Sequence, residues 1–146
     1  MDTDKNKILQ YFREDKNCAQ AVLLGFADRF QINEDHALSV ASGFGAGMGR
    51  LQKTCGAVSG AYMVIGLYAG SNSSNIAEMK ENAYKMIIDF TKKFETQLGS
   101  SDCSELTRCD LKTETGQQKF EKEQVKEKVC EKCILSSISI LNEIMS

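Results

Sequence analysis

Not one of the 146 residues is proline. Proline removes a backbone donor and breaks helix interiors, so a chain that never uses it is free to run long helices. Lys and Glu, both good helix formers, are abundant. Apolar residues recur at three- and four-residue spacing in several stretches, and none alternates with period two for long enough to make a strand. The expected fold class is therefore all-α: a single-domain helical bundle spanning residues 1–146 with a central apolar helix. Hydrophobic residues at 42% and charged residues at 26% supply an ordinary core and an ordinary surface.

The pattern divides the chain readily. A first helix is expected from Asp4 to Arg13, on a stripe of Ile8, Tyr11 and Phe12. Asn17 reads as the N-cap of a second, with Ala19, Val22, Leu23, Phe26 and Phe30 at helical spacing. Asn33 caps a third over Glu34 to Ser42, which stops at the run Gly43, Gly45, Gly47 and Gly49. With Thr54 as N-cap, the uncharged segment Cys55 to Gly70 predicts a buried central helix, with Cys55 to Tyr68 as the most buried element of the bundle. It falls short of the ~20 apolar residues a membrane span needs and carries four glycines. A long amphipathic helix from Asn75 to Leu98 should pack against it and stop at Gly99. Asp102 caps a short helical turn, CSELTRCDL. The Lys- and Glu-rich stretch Lys112 to Lys132 reads as a solvated helix or excursion, and Ile134, Ile138, Leu141 and Met145 line a terminal helix.

The formal net charge of −2 lacks the basic footprint that phosphate-backbone binding requires, so nucleic acid is not an expected partner, and neither is a membrane. The start MDTDKNKILQ has no apolar signal-peptide core, and six cysteines are too few for a disulfide-stapled mini-protein, so the expected location is cytoplasmic. The run GFGAGMGR is not a phosphate loop, because no GK[ST] follows and no strand precedes it. It instead predicts a backbone-exposing loop able to bring N–H groups close to a sulfur or a small ligand. Gly56 and Gly60 form a small-residue face suited to close helix packing or to ligand access. His36, the one histidine, receives no role.

The cysteines carry the chemistry. Cys18, Cys55, Cys103 and Cys130 each stand at an expected helix start, where unpaired N–H groups and the helix dipole favour a thiolate. That dipole supplies ~0.3–1 kcal/mol, less than one pKa unit, so a cation or metal has to complete the stabilisation. Arg50 and Lys53 are the nearest cations in sequence to Cys55. Cys130 and Cys133 form a CxxC, but no strand precedes it as a thioredoxin-like context would require. Cys109, flanked by Asp110, is expected to be an ordinary exposed thiol.

These residues resemble a family of redox-active proteins named for the arrangement C…GCAxxG…C…C. The likeness rests on NCAQAV around Cys18, ASGFGAGMGR followed by TCGAVSGA around Cys55, DCSEL around Cys103, and the cysteine at Cys130. The central element stands here in the order CGAxxG, from Cys55 to Gly60. The resemblance implies a redox or metal role for Cys18, Cys55, Cys103 and Cys130, leaves Cys109 and Cys133 as additions, and leaves the choice between Cys130 and Cys133 open.

Three readings follow. In the first, cysteines cycle between dithiol and disulfide with an unidentified redox partner, Cys55 attacking and Cys18 resolving. In the second, Cys18, Cys55, Cys103 and Cys130 bind zinc or an iron–sulfur cluster as an electron-transfer site. In the third, a helical module carries bystander thiols. Cys18, Cys55, Cys103 and one of Cys130 or Cys133 are expected to lie near one another although far apart in sequence; sulfurs clustered within about 4 Å favour a metal site, two separate pairs favour disulfide chemistry, and the oligomeric state is not legible.

Overall fold

The computed structural model describes residues 3–146, which form eight α-helices and one π-helical turn. The α-helices are α1 (Lys5–Arg13), α2 (Cys18–Ala27), α3 (Glu34–Ala41), α4 (Gly56–Ser71), α5 (Ile76–Leu98), α6 (Cys103–Thr107), α7 (Glu114–Lys122) and α8 (Glu131–Ile144). The π turn, Lys126–Cys130, runs directly into α8. The only strand-like pairing among the described residues is an isolated antiparallel bridge between Thr54 and Asp102.

Short polar side chains set most helix starts. The carboxylate of Asp4 accepts from the Asn6 N–H, Asn33 accepts from His36, Asn75 from Glu78, Asp102 from Glu105 and Thr113 from Gly116. Asn17 and Gln20 form a reciprocal capping box at the start of α2. The expected cap Thr54 is not one. The N-cap of α4 is Cys55, which makes no side-chain capping bond, while Thr54 is held in the bridge to Asp102. Around that bridge the Cys55 N–H donates to the Ser101 carbonyl at 2.8 Å and the Cys103 N–H donates to Lys53. Two helix starts distant in sequence are thereby tied side by side.

The core is assembled from α1, α2, α4, α5 and α8, with α3 laid against α2. The central helix is not the most thoroughly buried one. Seven of the ten residues of α2 are buried, against nine of sixteen in α4, whose later residues Tyr62, Met63, Leu67 and Tyr68 stay half-buried. The reason is the small-residue face. A Cβ on Gly60 would lie 2.9 Å from the Ala19 carbonyl oxygen, so α2 approaches the first turns of α4 closely enough to cover itself there. The long helix α5 does pack on α4, through Phe90, which meets the Tyr62 ring edge-on at 6.0 Å and stacks on Phe94. Ile76, on the expected apolar face of α5, is exposed.

The charged stretch before α8 is not an excursion. Leu111 and Val125 are buried with Cys109 in a small second cluster, against which Phe120, Val129 and Ala46 pack. Gly116 sits so close to the Asp110 carbonyl that no side chain fits, which holds α7 down. No helix among the described residues is long and apolar enough to cross a membrane.

Candidate functional site: a cavity walled by thiols

Five cysteines line one cavity of about 430 Å³: Cys18, Cys55, Cys103, Cys130 and Cys133. Cys18 is the first residue of α2, Cys55 caps α4, Cys103 begins α6, Cys130 ends the π turn and Cys133 lies in the first turn of α8. All six cysteines are free thiols. The four residues named from the sequence thus share one cavity, joined by Cys133. The choice between Cys130 and Cys133 is not forced, because i and i+3 of a helical segment face the same way.

Three of the four stand at a helix start or cap, and Cys130 does not. The backbone is already helical from Val125 onward, so Cys130 lies inside a continuous helical run and has no dipole end to itself. Cys109 is also corrected: it is 5% exposed, packed in the second cluster and away from the cavity.

The glycine-rich loop makes a left-handed turn. Ala46, Gly47, Met48, Gly49 and Arg50 have φ values of 54°, 64°, 21°, 58° and 67°, and Gln52 follows at 58°. Four of these six are not glycine, and each such residue costs about 1–2 kcal/mol in this conformation. Gly47 is required: a Cβ there would lie 2.6 Å from the Cys103 Cβ and 2.8 Å from the Gln52 Cα. The turn lets the Ala46 N–H point at the Cys18 sulfur. Strain of this kind persists where surrounding structure over-determines it, commonly at functional sites.

Gln52, invisible to sequence reasoning, organises the side nearest Cys103. It is buried, its Nε2 donates to the Cys109 carbonyl at 2.6 Å and to Thr107 Oγ1 at 3.2 Å, and it lies 3.9 Å from the Cys103 sulfur. Its Oε1 accepts from the Leu111 N–H at 2.7 Å. Gly56 does the corresponding work for Cys18. A Cβ on it would lie 2.2 Å from the Cys18 sulfur, so the CGAxxG glycine is where that sulfur nests.

The electrostatics run against the expected thiolate pocket. The Cys18 thiol is pushed up to about 11, chiefly by burial and then by Cys55. Cys103 is pushed up to about 12 by burial and by Cys55. Cys130 is raised by burial and by Cys18, Cys55 and Cys103, with Lys126 opposing. Cys55 is raised by its contact with the Cys133 thiol and by burial, against N–H groups from Ala57 and Val58. The arithmetic is lopsided: helix-end stabilisation is worth less than about one pKa unit, whereas full burial shifts a group by up to ~3–5 units. At neutral pH these sulfurs are thiols. Cys55 is buried at 8% exposed, whereas Cys18 and Cys130 are half-buried. The two cations expected beside Cys55 part company, since Arg50 lines the cavity and Lys53 does not.

The model of the C_GCAxxG_C_C family, described as "Putative redox-active protein", matches residues 16–144. The chain belongs to this family. All six cysteines fall inside the matched span, as do the left-handed turn and Gln52. No curated protein and no solved structure is significantly similar to it. The family description carries redox activity and a cysteine pattern, and the cavity gives that pattern a place in the fold.

Proposed function

We propose that this member of the C_GCAxxG_C_C family is a thiol–disulfide redox protein whose working sulfurs are Cys18, Cys55, Cys103 and Cys130, with Cys55 at the centre. One observation carries the reading: Cys18, Cys55, Cys103 and Cys130, far apart in sequence, line one cavity together with Cys133. In the proposed step Cys55 loses its proton and attacks a disulfide of the oxidant, one thiol of which leaves. Cys18 then attacks the Cys55 sulfur and releases the second. The net change converts two protein thiols and one oxidant disulfide into a Cys18–Cys55 disulfide and two released thiols. Such chemistry suits a reducing compartment such as the cytoplasm, where resting thiols persist.

The test is a redox titration against the dithiothreitol couple, read by peptide mapping. A Cys18–Cys55 disulfide that forms and is lost reversibly supports the reading. Five cysteines that stay reduced across the titration overturn it.

A second reading is favoured by the mutual upward push among Cys18, Cys55, Cys103 and Cys130: four thiolates can coexist there once a cation shares the space. Four soft sulfur donors suit zinc or an iron–sulfur cluster, either of which would hold them deprotonated. Among the described residues no three such donors are already gathered at metal-holding spacing, so the sulfurs would have to close in on the ion. Stoichiometric zinc, or iron with visible absorption, in protein purified without oxygen would replace the first reading by this one.

A further inference from the structure

The thiols form the floor of the cavity, and its rim is of a different character. Phe12, Leu106, Phe120 and Val129 give it apolar walls, and Arg50 and Lys126 stand on it as cations. Two irregular pieces of backbone deliver those two charges. Arg50 is the last residue of the left-handed turn, and Lys126 opens the π turn, a local distortion frequent at functional sites. The Lys126 ammonium lies 4.8 Å over the Phe12 ring, and its charge reaches Cys130. Among the described residues neither Arg50 nor Lys126 has a carboxylate within ion-pair distance, whereas Lys16, a third cation on the lining, holds Asp15 at 2.9 Å. Glu121 is the one carboxylate on the lining.

Building on the thiol–disulfide reading, we propose that the cavity's oxidant is a small disulfide bearing carboxylate groups, clamped between Arg50 and Lys126 with its hydrocarbon portion against Phe12 and Phe120. A volume of about 430 Å³ suits a small molecule and not a folded partner. Unpaired cations at a half-dry rim pull in an anion, and the guanidinium of Arg50 can take a carboxylate through two hydrogen bonds. The clamp also serves the chemistry. Buried thiols attack slowly, so time spent beside Cys55 with the scissile S–S bond in reach compensates for a small thiolate fraction. The balance is that given above, with the bound molecule leaving as two thiols.

The experiment compares three aliphatic disulfides on the intact reduced protein: 3,3′-dithiodipropionate, which is dianionic, neutral 2-hydroxyethyl disulfide, and dicationic cystamine. Rates of cysteine oxidation are read by mass spectrometry, and each variant is judged by its ratio of anionic to neutral rate. The native protein should favour the dianion, and Arg50→Gln and Lys126→Gln should each lower the ratio about tenfold, the worth of one charge-assisted contact. Arg50→Lys, which keeps the charge but not the two-pronged hydrogen bonding, should restore it only in part, and Lys53→Gln, off the cavity, should leave it unmoved. Because Arg50 and Lys126 sit on separate elements, a folding defect in one variant leaves the other as a test. A ratio that none of these substitutions moves, with all three disulfides reacting, overturns the clamp and spares the thiol–disulfide reading. No reaction with any of the three, in a protein that does form its disulfide in the dithiothreitol titration, also overturns the clamp and assigns the oxidant to a macromolecule. Failure of both experiments takes the underlying reading down with it.

Discussion

The long helix α5 and the segment 43–52 obey opposite rules. In α5, 23 residues run from an Asn75 cap to Gly99, whose φ of 90° is the left-handed stop glycine supplies cheaply. Each local preference agrees with the final structure. In the segment before Cys55 the backbone turns left-handed through Ala46, Met48 and Arg50, residues that gain nothing locally by doing so. What they secure lies elsewhere: an N–H on the Cys18 sulfur, room for Cys103, and a cation on the cavity rim. The comparison separates residues that build the scaffold from residues that are held against their preference by a site.

The largest expected effect breaks the scaffold side alone. Phe90 is fully buried between Tyr62 and Phe94, so Phe90→Ala should cost about 3–5 kcal/mol. Chemical denaturation would measure it. Below the unfolding transition, the order in which native thiols are alkylated should stay as it is in the parent protein. If Cys55 or Cys103 becomes reactive in that variant, the two regions are not separable.

A loss of similar order should follow from Gln52→Met, and it should land on the site side. Methionine keeps the length but cannot satisfy the Cys109 carbonyl or the Leu111 N–H, each worth about 1–3 kcal/mol when left buried and unpaired. The segment from Cys109 to Leu111 should then loosen, and Cys109, buried in the parent, should become alkylated. Stability loss without new Cys109 reactivity would demote Gln52 to ordinary packing.

This division also explains what could be read in advance. The bundle was legible because α2, α3 and α5 begin at Asn17, Asn33 and Asn75, α6 begins at Asp102, and the longer helices carry local periodicity. The convergence of sulfurs was legible only as a consequence of four similar contexts. The thiol pKa direction was not, because a helix end is visible in sequence and desolvation is not: the cavity that Cys18 and Cys103 share is closed in part by residues of α7 and α8 from the far end of the chain. Cys130 misled for a related reason, since nothing in KEKVCEKC announces that the helix starts earlier, as a π turn. The Thr54 cap failed because its competitor, the bridge to Asp102, is long-range.

The raised thiols give the third expectation. Cys18 and Cys103 have folded-state values of about 11 and about 12, above their ordinary value of 9.0. A fold that prefers the protonated form gains from it fully below the unfolded value and loses that gain as pH rises toward the folded value. For the reduced, metal-free protein the thermal midpoint should therefore hold steady to about pH 8.5 and fall through the window from about 9 to 12. Cys18→Ala should flatten the part of that fall below about 11. A midpoint that rises with pH would mean the thiolates are the preferred form, as a bound cation would make them.

The finest probe compares glycines within α4 itself. Near the cavity the helix has no room: an alanine Cβ at position 56 would collide with the Cys18 sulfur and lie 2.9 Å from the Phe44 carbonyl oxygen. One turn past Tyr62, Gly66 meets nothing within 4 Å, and its backbone is ordinary right-handed helix. Gly66→Ala should therefore act only through the unfolded chain's lost freedom and better helix propensity, stabilising by about 0.5–1 kcal/mol. The same substitution at Gly56 should destabilise, and it should displace the Cys18 sulfur enough to change its alkylation rate. Opposite signs at two glycines ten residues apart on one helix would draw the border of the site through the middle of α4. If both substitutions stabilise, the Cys18 sulfur has room to move, and the packing that fixes it beside Cys55 is looser than the geometry requires.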